Sequence, residues 1–504
     1  MRSYLALQQL TIVTARLLPW RTHSCVPRRH SCRRPLTQGE EASRRVSTLH
    51  ARVRAPHLPV RKFGIVFALA LTVSLAVPAL FAAEGVAATP PMGWNSWDCY
   101  GTTVTEAEVK ANAEYMAQRL KQHGWQYIVV DIQWSEPHPQ AHGYRQDAAL
   151  EMDANGRLIP AAGRFPSAAE GRGFRPLADY VHSLGLRFGI HIMRGIPRQA
   201  VKANLPVSGT AVHAADIADV NSTCPWNSDM YGVDMSRPGA QAYYDSLLKL
   251  YAEWGVDYIK ADDIARPAHR EEIAALHRAI QKTGRPIVLS LSPGPAMVKD
   301  AEFLRENVNM WRISDDFWDD WRLLRQNFIL MSIWSAVGHP GAWPDADMLP
   351  LGRIGIRAER GEARTSHFTH DEQRTLISLW SIAQSPLMFG GDLPSNDAFT
   401  ESLITNDEVL AVNQTGARGG AFAEGGDSVI WAADAPGGAK FFAVFNVGDH
   451  APIDIRVDWP ALGMPPNCTL RDLWQRADVG AIRGGHTFHV APHASGLYKL
   501  TPAK

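Results

Sequence analysis

The stretch YIVVDIQW, residues 127–134, is an apolar run that stops on an acid, Asp131. Its length and its β-branched residues are typical of a buried strand. Similar runs recur along the chain, at 187–193, 258–263, 287–292, 310–315 and 387–391. Several of these runs also finish on charged residues, so the ends of the predicted strands are where chemistry has to be sought.

Amphipathic segments separate the runs, such as RPLADYVHSLG at 175–185, GAQAYYDSLLKLYAEWG at 239–255 and HREEIAALHRAIQKTG at 269–284. All three finish on glycine, a residue that commonly ends helices. Regular alternation of strands and helices predicts a parallel sheet. The length and evenness of the alternation favour a closed (β/α)8 barrel, a TIM barrel of the α/β class, over an open sheet, and no G-x-G-x-x-G motif indicates a nucleotide site.

The pattern changes after Gln414. Residues 416–426 are rich in turn formers, and the segments beyond them are short alternating strands separated by Gly, Pro and Asp. This pattern predicts a small antiparallel β-domain, a sandwich, at 415–504. The barrel is then expected at 89–414, and a chain of 504 residues suits two domains.

The N-terminal residues lie outside this alternation. Residues 1–59 are rich in Arg, His, Ser and Pro, and we interpret them as an untranslated or disordered extension, with Val60 as the true start. Residues 60–88 have the basic start, the short apolar run and the small residues of a secretory signal peptide. We therefore expect a cleaved leader and a secreted or periplasmic protein with no membrane attachment in its mature form; an uncleaved anchor is the alternative.

The composition excludes several classes of function. Lys+Arg and Asp+Glu both number 51, so the formal net charge is zero, and no basic stripe favours nucleic acid. Three of the five cysteines follow the leader, without metal-type spacing, and at most one disulfide fits. Neither HExxH nor GxxxxGK[ST] occurs. We expect no nucleic-acid partner, no metal and no cofactor, and the oligomeric state stays open.

Charged residues follow several predicted strands, at the end of a barrel where enzymes of this fold carry their active sites. Lys260, Asp262 and Asp263 end one strand, and Arg312, Asp315 and Asp316 end another. Two carboxylates from different strands suit glycoside hydrolysis, which needs one ionised and one protonated acid. Lys260 alternates with Asp262, so both point into the barrel mouth, where the cation favours ionised Asp262. For any single acid, a cap or a salt bridge is the simpler explanation.

Ordered motifs now add to this interpretation. They are TPPMGWNSW (89–97), Lys260-Ala-Asp262, Trp311-Arg312 with Asp316, WPDADMLPLG (343–352), SLWSIAQSPLMFGGDL (378–393) and SLITNDEVLAVNQ (402–414). Together they resemble glycoside hydrolase family 27, the α-galactosidase (melibiase) family, from Thr89 to RDLW at 471–474. The resemblance implies a (β/α)8 barrel followed by a β-sandwich. It also implies a metal-free retaining exo-glycosidase that removes terminal α-D-galactosyl residues from oligosaccharides or polysaccharides by double displacement.

The resemblance also implies roles for single residues. Asp262 matches the nucleophile, and Asp316 the acid/base. Lys260 matches the lysine that holds the 3- and 4-hydroxyls, and Arg312 the arginine near the 2-hydroxyl. The other matches at the sugar are Trp97 beneath it and Asp347 in an acidic loop. His191 falls where the family often has Tyr and is expected in the pocket wall, with a hydrogen-bonded core histidine as the alternative. The two catalytic carboxyls of a retaining enzyme are expected about 5–5.5 Å apart.

One departure from the family pattern follows Asp131. Most members carry two adjacent acids there, which bind the 4- and 6-hydroxyls of galactose, and here Ile132 takes the second place. A hydrogen bond to a carboxylate is worth about 1.5–3 kcal/mol, and an apolar side chain leaves the 6-hydroxyl unpaired. L-Arabinopyranose is galactose without that carbon, and Ile at this position resembles the β-L-arabinopyranosidase branch of the family.

Further departures concern Ser292 and the cysteines. Ser292 takes the place of a Glu near the 2-hydroxyl, and a small residue there leaves room for a 2-acetamido group. The cysteines that usually flank the family's active site are missing around 193–198 and after Asp263. The main expectation is therefore an α-galactosidase, the alternative a β-L-arabinopyranosidase and the third an α-N-acetylgalactosaminidase. A catalytically inactive carbohydrate-binding protein is the alternative from another class, and a transglycosylase would share every residue named.

Overall fold

The structure, a computed structural model, describes residues 85–417 and 419–503. The expected extension 1–59 lies outside the described residues, and so does the expected leader 60–88 apart from its last four residues. Among these, Ala87 is buried and its carbonyl accepts a hydrogen bond of 2.8 Å from Trp343 Nε1. Cleavage of the leader and secretion stay predictions.

Eight parallel strands form the first sheet. They are β1 (Met92–Asn95), β2 (Tyr127–Val130), β3 (Arg187–Met193), β4 (Tyr258–Asp262), β5 (Val288–Leu291), β6 (Met310–Arg312), β7 (Trp343–Asp345) and β8 (Leu387–Phe389). Neighbours in the chain are neighbours in the sheet, β8 pairs with β1, and a parallel bridge from Leu349 to Phe389 joins the segment after β7 to β8. The sheet therefore closes on itself, and the predicted (β/α)8 barrel is confirmed.

Helices separate and surround the strands. They are α1 (Trp97–Tyr100), α2 (Glu106–Tyr115), α3 (Arg175–Ser183), α4 (Arg198–Lys202), α5 (Ala214–Ile217), α6 (Ala240–Trp254), α7 (Arg270–Thr283), α8 (Ala301–Asn307), α9 (Trp321–Trp334), α10 (His370–Ala383), α11 (Ala398–Ile404) and α12 (Asp407–Thr415). The three helices predicted from the amphipathic segments are confirmed as α3, α6 and α7. Gly255 and Gly284 follow α6 and α7 with positive φ, the left-handed conformation that glycine adopts without strain.

The predicted strand runs are confirmed in position: β3 has the predicted bounds 187–193, and the other five strands are one to three residues shorter than predicted. The strands β1 and β7 were missed, because MGWN and WPD are short and contain Gly or Pro, which weaken a strand pattern. A small antiparallel sheet beside the barrel, of Ile196–Pro197, Ala218–Thr223 and Met230–Val233, was missed as well.

The C-terminal strands form the antiparallel domain. They are β9 (Gly420–Gly425), β10 (Ser428–Ala435), β11 (Ala439–Asn446), β12 (Ile453–Asp458), β13 (Asn467–Asp472), β14 (Ala477–Arg483), β15 (Gly485–Val490) and β16 (Ser495–Pro502). Six strands pair in the order β9-β10-β11-β16-β13-β14, and β12 pairs with β15. A second apolar core lies between the two sheets, around Phe442, Trp459 and Phe488.

The sandwich packs on the barrel through α9, α10 and α12. Phe328 of α9 meets Phe445 edge to face, with ring centroids 4.9 Å apart. Trp474 Nε1 donates a hydrogen bond of 2.9 Å to Ser378 Oγ of α10. Arg471 donates two hydrogen bonds of 2.7 Å to Glu408 of α12. The second domain thus covers helices of the barrel that would otherwise expose an apolar face.

Two further findings concern cysteines and membranes. Cys99, Cys224 and Cys468 are all buried and free, so the described residues contain no disulfide. Within residues 85–417 and 419–503, none of the helices combines the length and the apolar character that crossing a bilayer requires.

Candidate active site

A cavity lies where the barrel strands end, with an empty volume of about 920 Å³ including its open mouth. Eight of the ten residues predicted for the site line it: Trp97, Asp131, Lys260, Asp262, Ser292, Arg312, Asp316 and Asp347. They come from β1, β2, β4, β5, β6, β7 or the loops directly after these strands, so closure of the barrel is what brings them together.

Asp262 ends β4 and is the predicted nucleophile. His191 Nε2 of β3 lies 3.2 Å from its Oδ2, and Asp263 N donates a hydrogen bond of 2.9 Å to its Oδ1. Burial opposes ionisation of Asp262, but the hydrogen bond from His191 and the charges of His191 and Lys260 outweigh it. They hold the pKa of Asp262 well below its usual range. A carboxylate that stays ionised although it is largely buried is what a nucleophile needs.

Asp131 and Lys260 form a buried ion pair across the cavity floor. Lys260 Nζ lies 2.9 Å from Asp131 Oδ2, which also accepts a hydrogen bond of 2.7 Å from Asn95 Nδ2. Burial opposes the charge on each partner, but Lys260 lowers the pKa of Asp131 and Asp131 raises the pKa of Lys260. Both groups are therefore charged, and charge-assisted hydrogen bonds to ligand hydroxyls are stronger than neutral ones.

Arg312 connects the predicted acid/base to Asp347. Its Nη2 lies 3.2 Å from Asp316 Oδ1 and 2.7 Å from Asp347 Oδ2. The Asp316 side chain is 43 % exposed, whereas Asp347 is buried. Burial, with Asp316 and Asp345 adding like charge, raises the pKa of Asp347 to about 6 against the opposing effect of Arg312. Asp316 thus faces solvent, where a leaving group would depart.

The acids next to the predicted catalysts have partners of their own. Asp315 pairs with Arg266 at 2.6 Å, and its side chain is 70 % exposed. Asp263 pairs with buried Arg194, whose Nη2 lies 2.8 Å from Asp263 Oδ2 and whose Nε donates to the Asp263 carbonyl at 2.7 Å. Arg194 Nη1 also lies 2.9 Å from Glu272. In place of a disulfide, this ion-pair network ties the residue after Asp262 to α7.

The remaining two predicted site residues, Ile132 and His191, are not among the described residues that line the cavity. His191 is 1 % exposed and acts on the site through its contact with Asp262. Ile132 is 4 % exposed and packs in an apolar cluster with Trp97, Met348 and other buried side chains. Its backbone N–H donates a hydrogen bond of 2.9 Å to Asp131 Oδ1. Ile132 therefore offers no hydrogen-bonding side chain next to Asp131.

Several lining residues were missed by the sequence analysis. Tyr144 stacks on Trp97 with centroids 5.7 Å apart, and Trp226 packs against Tyr144 at 5.5 Å. Glu359 and Asp98 also line the cavity. Three of these side chains come from long loops without periodicity, so no pattern indicated them. Asp98, by contrast, directly follows the TPPMGWNSW motif and carried a signal, an acid next to the predicted sugar-stacking tryptophan.

The arrangement offers carboxylates, cations and aromatic faces, the groups that bind and cleave sugars. Among the residues in the described ranges, no group of three or more His, Cys, Asp or Glu is placed to hold a metal ion.

Comparison with known proteins agrees with this chemistry. Residues 89–236 and 231–415 match the family described as alpha galactosidase A, and residues 425–500 match the alpha galactosidase C-terminal beta sandwich domain. An alpha-galactosidase of Cyamopsis tetragonoloba is 29 % identical over 429 residues, covering 84 % of this chain and 88 % of the relative. That of Coffea arabica is 30 % identical over 427 residues, covering 83 % and 96 %.

A solved structure resembles this chain more strongly. It is a β-L-arabinopyranosidase of glycoside hydrolase family 27 from Geobacillus stearothermophilus, 55 % identical, with a TM-score of 0.82. The likeness covers 83 % of this chain and 97 % of that protein.

Proposed function

Because this chain belongs to glycoside hydrolase family 27, the α-galactosidase family, and is a glycosidase, we propose that it is a retaining β-L-arabinopyranosidase. The observation that carries the proposal is the buried apolar residue that directly follows Asp131. Ile132 stands where an acid would bind the 6-hydroxyl of galactose, and it belongs to the same apolar cluster as Trp97 and Met348, which line the cavity. L-Arabinopyranose has no hydroxymethyl group and therefore needs no hydrogen-bonding partner at this position.

Asp262 and Asp316 carry the reaction in this proposal. The Asp262 carboxylate attacks the anomeric carbon, while the Asp316 carboxyl gives its proton to the glycosidic oxygen as that bond breaks. Asp316 then takes a proton from water, whose oxygen displaces Asp262 from the anomeric carbon and restores the free enzyme. The contacts support these roles, since His191 and Lys260 keep Asp262 ionised and Asp316 opens to solvent.

The ring hydroxyls are held by the two ion pairs. Lys260 and Asp131 present a donor and an acceptor on one side of the cavity, and Arg312 and Asp347 do so on the other. Charge-assisted hydrogen bonds of this kind fix the ring in one orientation. Trp97 supplies an apolar face against which the ring stacks.

The choice between arabinose and galactose as the bound terminal sugar rests on a difference in binding free energy. A lost hydrogen bond to a carboxylate costs about 1.5–3 kcal/mol, so a galactoside loses roughly tenfold or more in binding when the 6-hydroxyl has no partner. The arabinoside has the same arrangement of its other hydroxyls and loses nothing. The Geobacillus stearothermophilus enzyme supports the same choice through its 55 % identity.

The test compares kcat/KM for aryl β-L-arabinopyranoside and aryl α-D-galactopyranoside on one preparation, with an aryl N-acetyl-α-D-galactosaminide as a third substrate. We expect a preference of tenfold or more for the arabinoside, on the order of one lost charged hydrogen bond. A preference for the galactoside would indicate an α-galactosidase and contradict the proposal. Turnover of the acetamido sugar would indicate an α-N-acetylgalactosaminidase, with the space beside Ser292 holding the 2-acetamido group. Binding without turnover of any of the three would indicate an inactive sugar-binding protein.

A further inference from the structure

Asp98 is a buried acid in the cavity wall without a hydrogen-bond partner. It is 3 % exposed and lines the cavity, and its backbone carbonyl accepts a hydrogen bond of 2.8 Å from Gly355 N. Its carboxyl group, however, makes no hydrogen bond to any residue that the structure describes, and Oδ2 is fully enclosed. A Cβ added at Gly390 would collide with this Oδ2, so a glycine there leaves space for the carboxyl group.

The other buried acids of the cavity differ in this respect. Asp131 accepts hydrogen bonds from Lys260 and Asn95. Asp347 pairs with Arg312 and accepts a hydrogen bond of 2.8 Å from Phe317 N. Buried polar groups in folded proteins nearly always have a partner, and leaving one without costs about 1–3 kcal/mol. Oδ2 is enclosed beside Gly390, so Oδ1, which is not enclosed, is the atom that a ligand can reach. An acid in the cavity wall whose carboxyl group has no partner among the described residues indicates that its partner is the ligand.

We propose that Asp98 is a further sugar-binding residue, whose carboxyl group forms a hydrogen bond with a ring hydroxyl of the bound pyranose. The proposal rests on the proposed function only in that the cavity binds a pyranose. It does not depend on whether the sugar is an arabinoside or a galactoside. Asp98 lies in α1, directly after β1, and its contact would add to those of the side chains at the ends of β2, β4 and β6.

The charges around Asp98 determine which kind of hydrogen bond it forms. Burial raises the pKa of Asp98 well above its usual range, and the like charges of Asp347, Asp316 and Asp131 add to this against the opposing charge of Lys260. A neutral carboxyl group has one O–H donor besides its acceptor oxygen. The raised pKa favours the neutral form of Asp98, which offers the sugar an O–H donor, whereas the ionised Asp131 is an acceptor only.

The experiment measures the competitive inhibition constant Ki of free L-arabinose and D-galactose, with whichever aryl glycoside the wild-type enzyme cleaves. We expect Asp98→Ala to raise Ki and KM about tenfold, the equivalent of one hydrogen bond near 1.4 kcal/mol. Asp98→Asn, neutral and of equal size, is expected to keep Ki within about threefold because its amide also donates and accepts. If Asp98→Ala does not fold, Asp98→Ser, too short to reach the ring, takes its place.

A matched control is Asp392→Asn. Asp392 is a buried acid near the same segment, bonded at 2.6 Å to Tyr100 Oη, and it is not among the described residues that line the cavity. Its neutralisation is expected to leave Ki unchanged, whatever it does to the melting temperature. An unchanged Ki in Asp98→Ala, within twofold of wild type, would overturn the proposal.

Deoxy sugars separate direct contact from a change of cavity shape. Monosaccharides lacking the 2-, 3- or 4-hydroxyl are used as inhibitors of wild type and Asp98→Ala. If Asp98 binds one hydroxyl, the sugar that lacks it loses affinity for wild type but binds both proteins equally. An equal loss for all three deoxy sugars in Asp98→Ala would contradict the contact. A wrong substrate assignment would show instead in the wild-type preference between arabinoside and galactoside. It would not change the ratio of Ki between Asp98→Ala and wild type for each sugar.

Discussion

His191 Nε2 lies 3.2 Å from Oδ2 of Asp262, and the two residues come from neighbouring parallel strands. The register pairs His191 with Lys260 and Met193 with Asp262, so the histidine is offset by two residues from the acid that it contacts. His191 is 1 % exposed. The imidazole is therefore a fixed, buried neighbour of the predicted nucleophile.

The first prediction concerns His191→Phe. Burial of Asp262 opposes its charge, and His191 supplies the hydrogen bond and charge that hold the pKa of Asp262 low. Since kcat/KM requires the ionised nucleophile, its acidic limb follows this pKa in the free enzyme. Removal of the imidazole raises the pKa, so the acidic limb is expected to move to higher pH.

The control for this variant is His182→Phe. His182 Nε2 contacts Asp257 Oδ2 at 2.7 Å, directly before the start of the strand that ends in Asp262. This pair lies away from the cavity, so its loss is expected to leave the acidic limb of the profile in place. A profile of His191→Phe that matches wild type would show that the contact does not tune the nucleophile.

The second prediction concerns Ile132→Asp. An acid next to Asp131 restores an acceptor for the 6-hydroxyl of galactose, worth about 1.5–3 kcal/mol. The ratio of kcat/KM for the galactoside to that for the arabinoside is expected to rise about tenfold or more. Because Ile132 is buried in an apolar cluster, the acid also lowers stability. Ile132→Val, which keeps the site apolar, is the control, and an unchanged ratio in Ile132→Asp would remove this position from the specificity argument.

The third prediction separates Asp316 from Asp315. Asp316→Ala is expected to lower kcat/KM about 10²–10⁴-fold for glycosides whose leaving group needs a proton. The loss should be much smaller for a dinitrophenyl glycoside, whose leaving group departs without protonation. Asp315→Ala removes only an exposed pair with Arg266, and such pairs contribute about 0–1 kcal/mol. Equal losses in both variants, or no dependence on the leaving group, would reassign the acid.

The fourth prediction concerns the network beneath the nucleophile. Arg194→Met leaves Asp263 and Glu272 buried without their cation, which costs about 3–5 kcal/mol of unfolding free energy. Burial already raises the pKa of both acids, and loss of Arg194 raises it further. Since their protonated forms are favoured in the folded state, stability is retained at low pH and lost as pH rises through the raised pKa.

Urea unfolding of Arg194→Met at acidic and neutral pH measures this effect, and the destabilisation is expected to be larger at neutral pH. Arg237→Met is the control, because Arg237 forms an exposed pair with Asp234 worth at most about 1 kcal/mol. A pH-independent loss in Arg194→Met would mean that packing, not charge, is what Arg194 contributes.

Much of the fold was accessible from the sequence. Buried strands of a parallel barrel are continuous apolar runs, so 187–193 and 258–263 were recognisable without tertiary information. The short strands β1 and β7 were not, because Gly93 and Pro344 interrupt the apolar pattern and the barrel supplies their pairing partners. Closure through Leu349 and Phe389 is a long-range contact that no local pattern encodes.

Part of the candidate site could also be predicted from local sequence patterns. Residues that end strands, such as Asp131, Asp262 and Arg312, carry a positional signal, since all strand ends of a barrel meet at one mouth. Tyr144, Trp226 and Glu359 reach the cavity from loops, where neither period nor spacing marks a functional residue. His191 had the signal of a strand residue, but its contact with Asp262 depends on the pairing of two strands.

The sequence by itself determined the order of the strands and helices, the acids at the strand ends and the apolar residue at position 132. It did so because these properties reside in side-chain identity and local periodicity. Only the tertiary structure decided which acids have partners: Asp131 has Lys260, Asp347 has Arg312, and Asp98 has none among the described residues. The reason is physical, because burial and the distances between charges far apart in the chain set whether a carboxyl group is ionised and what it can bind.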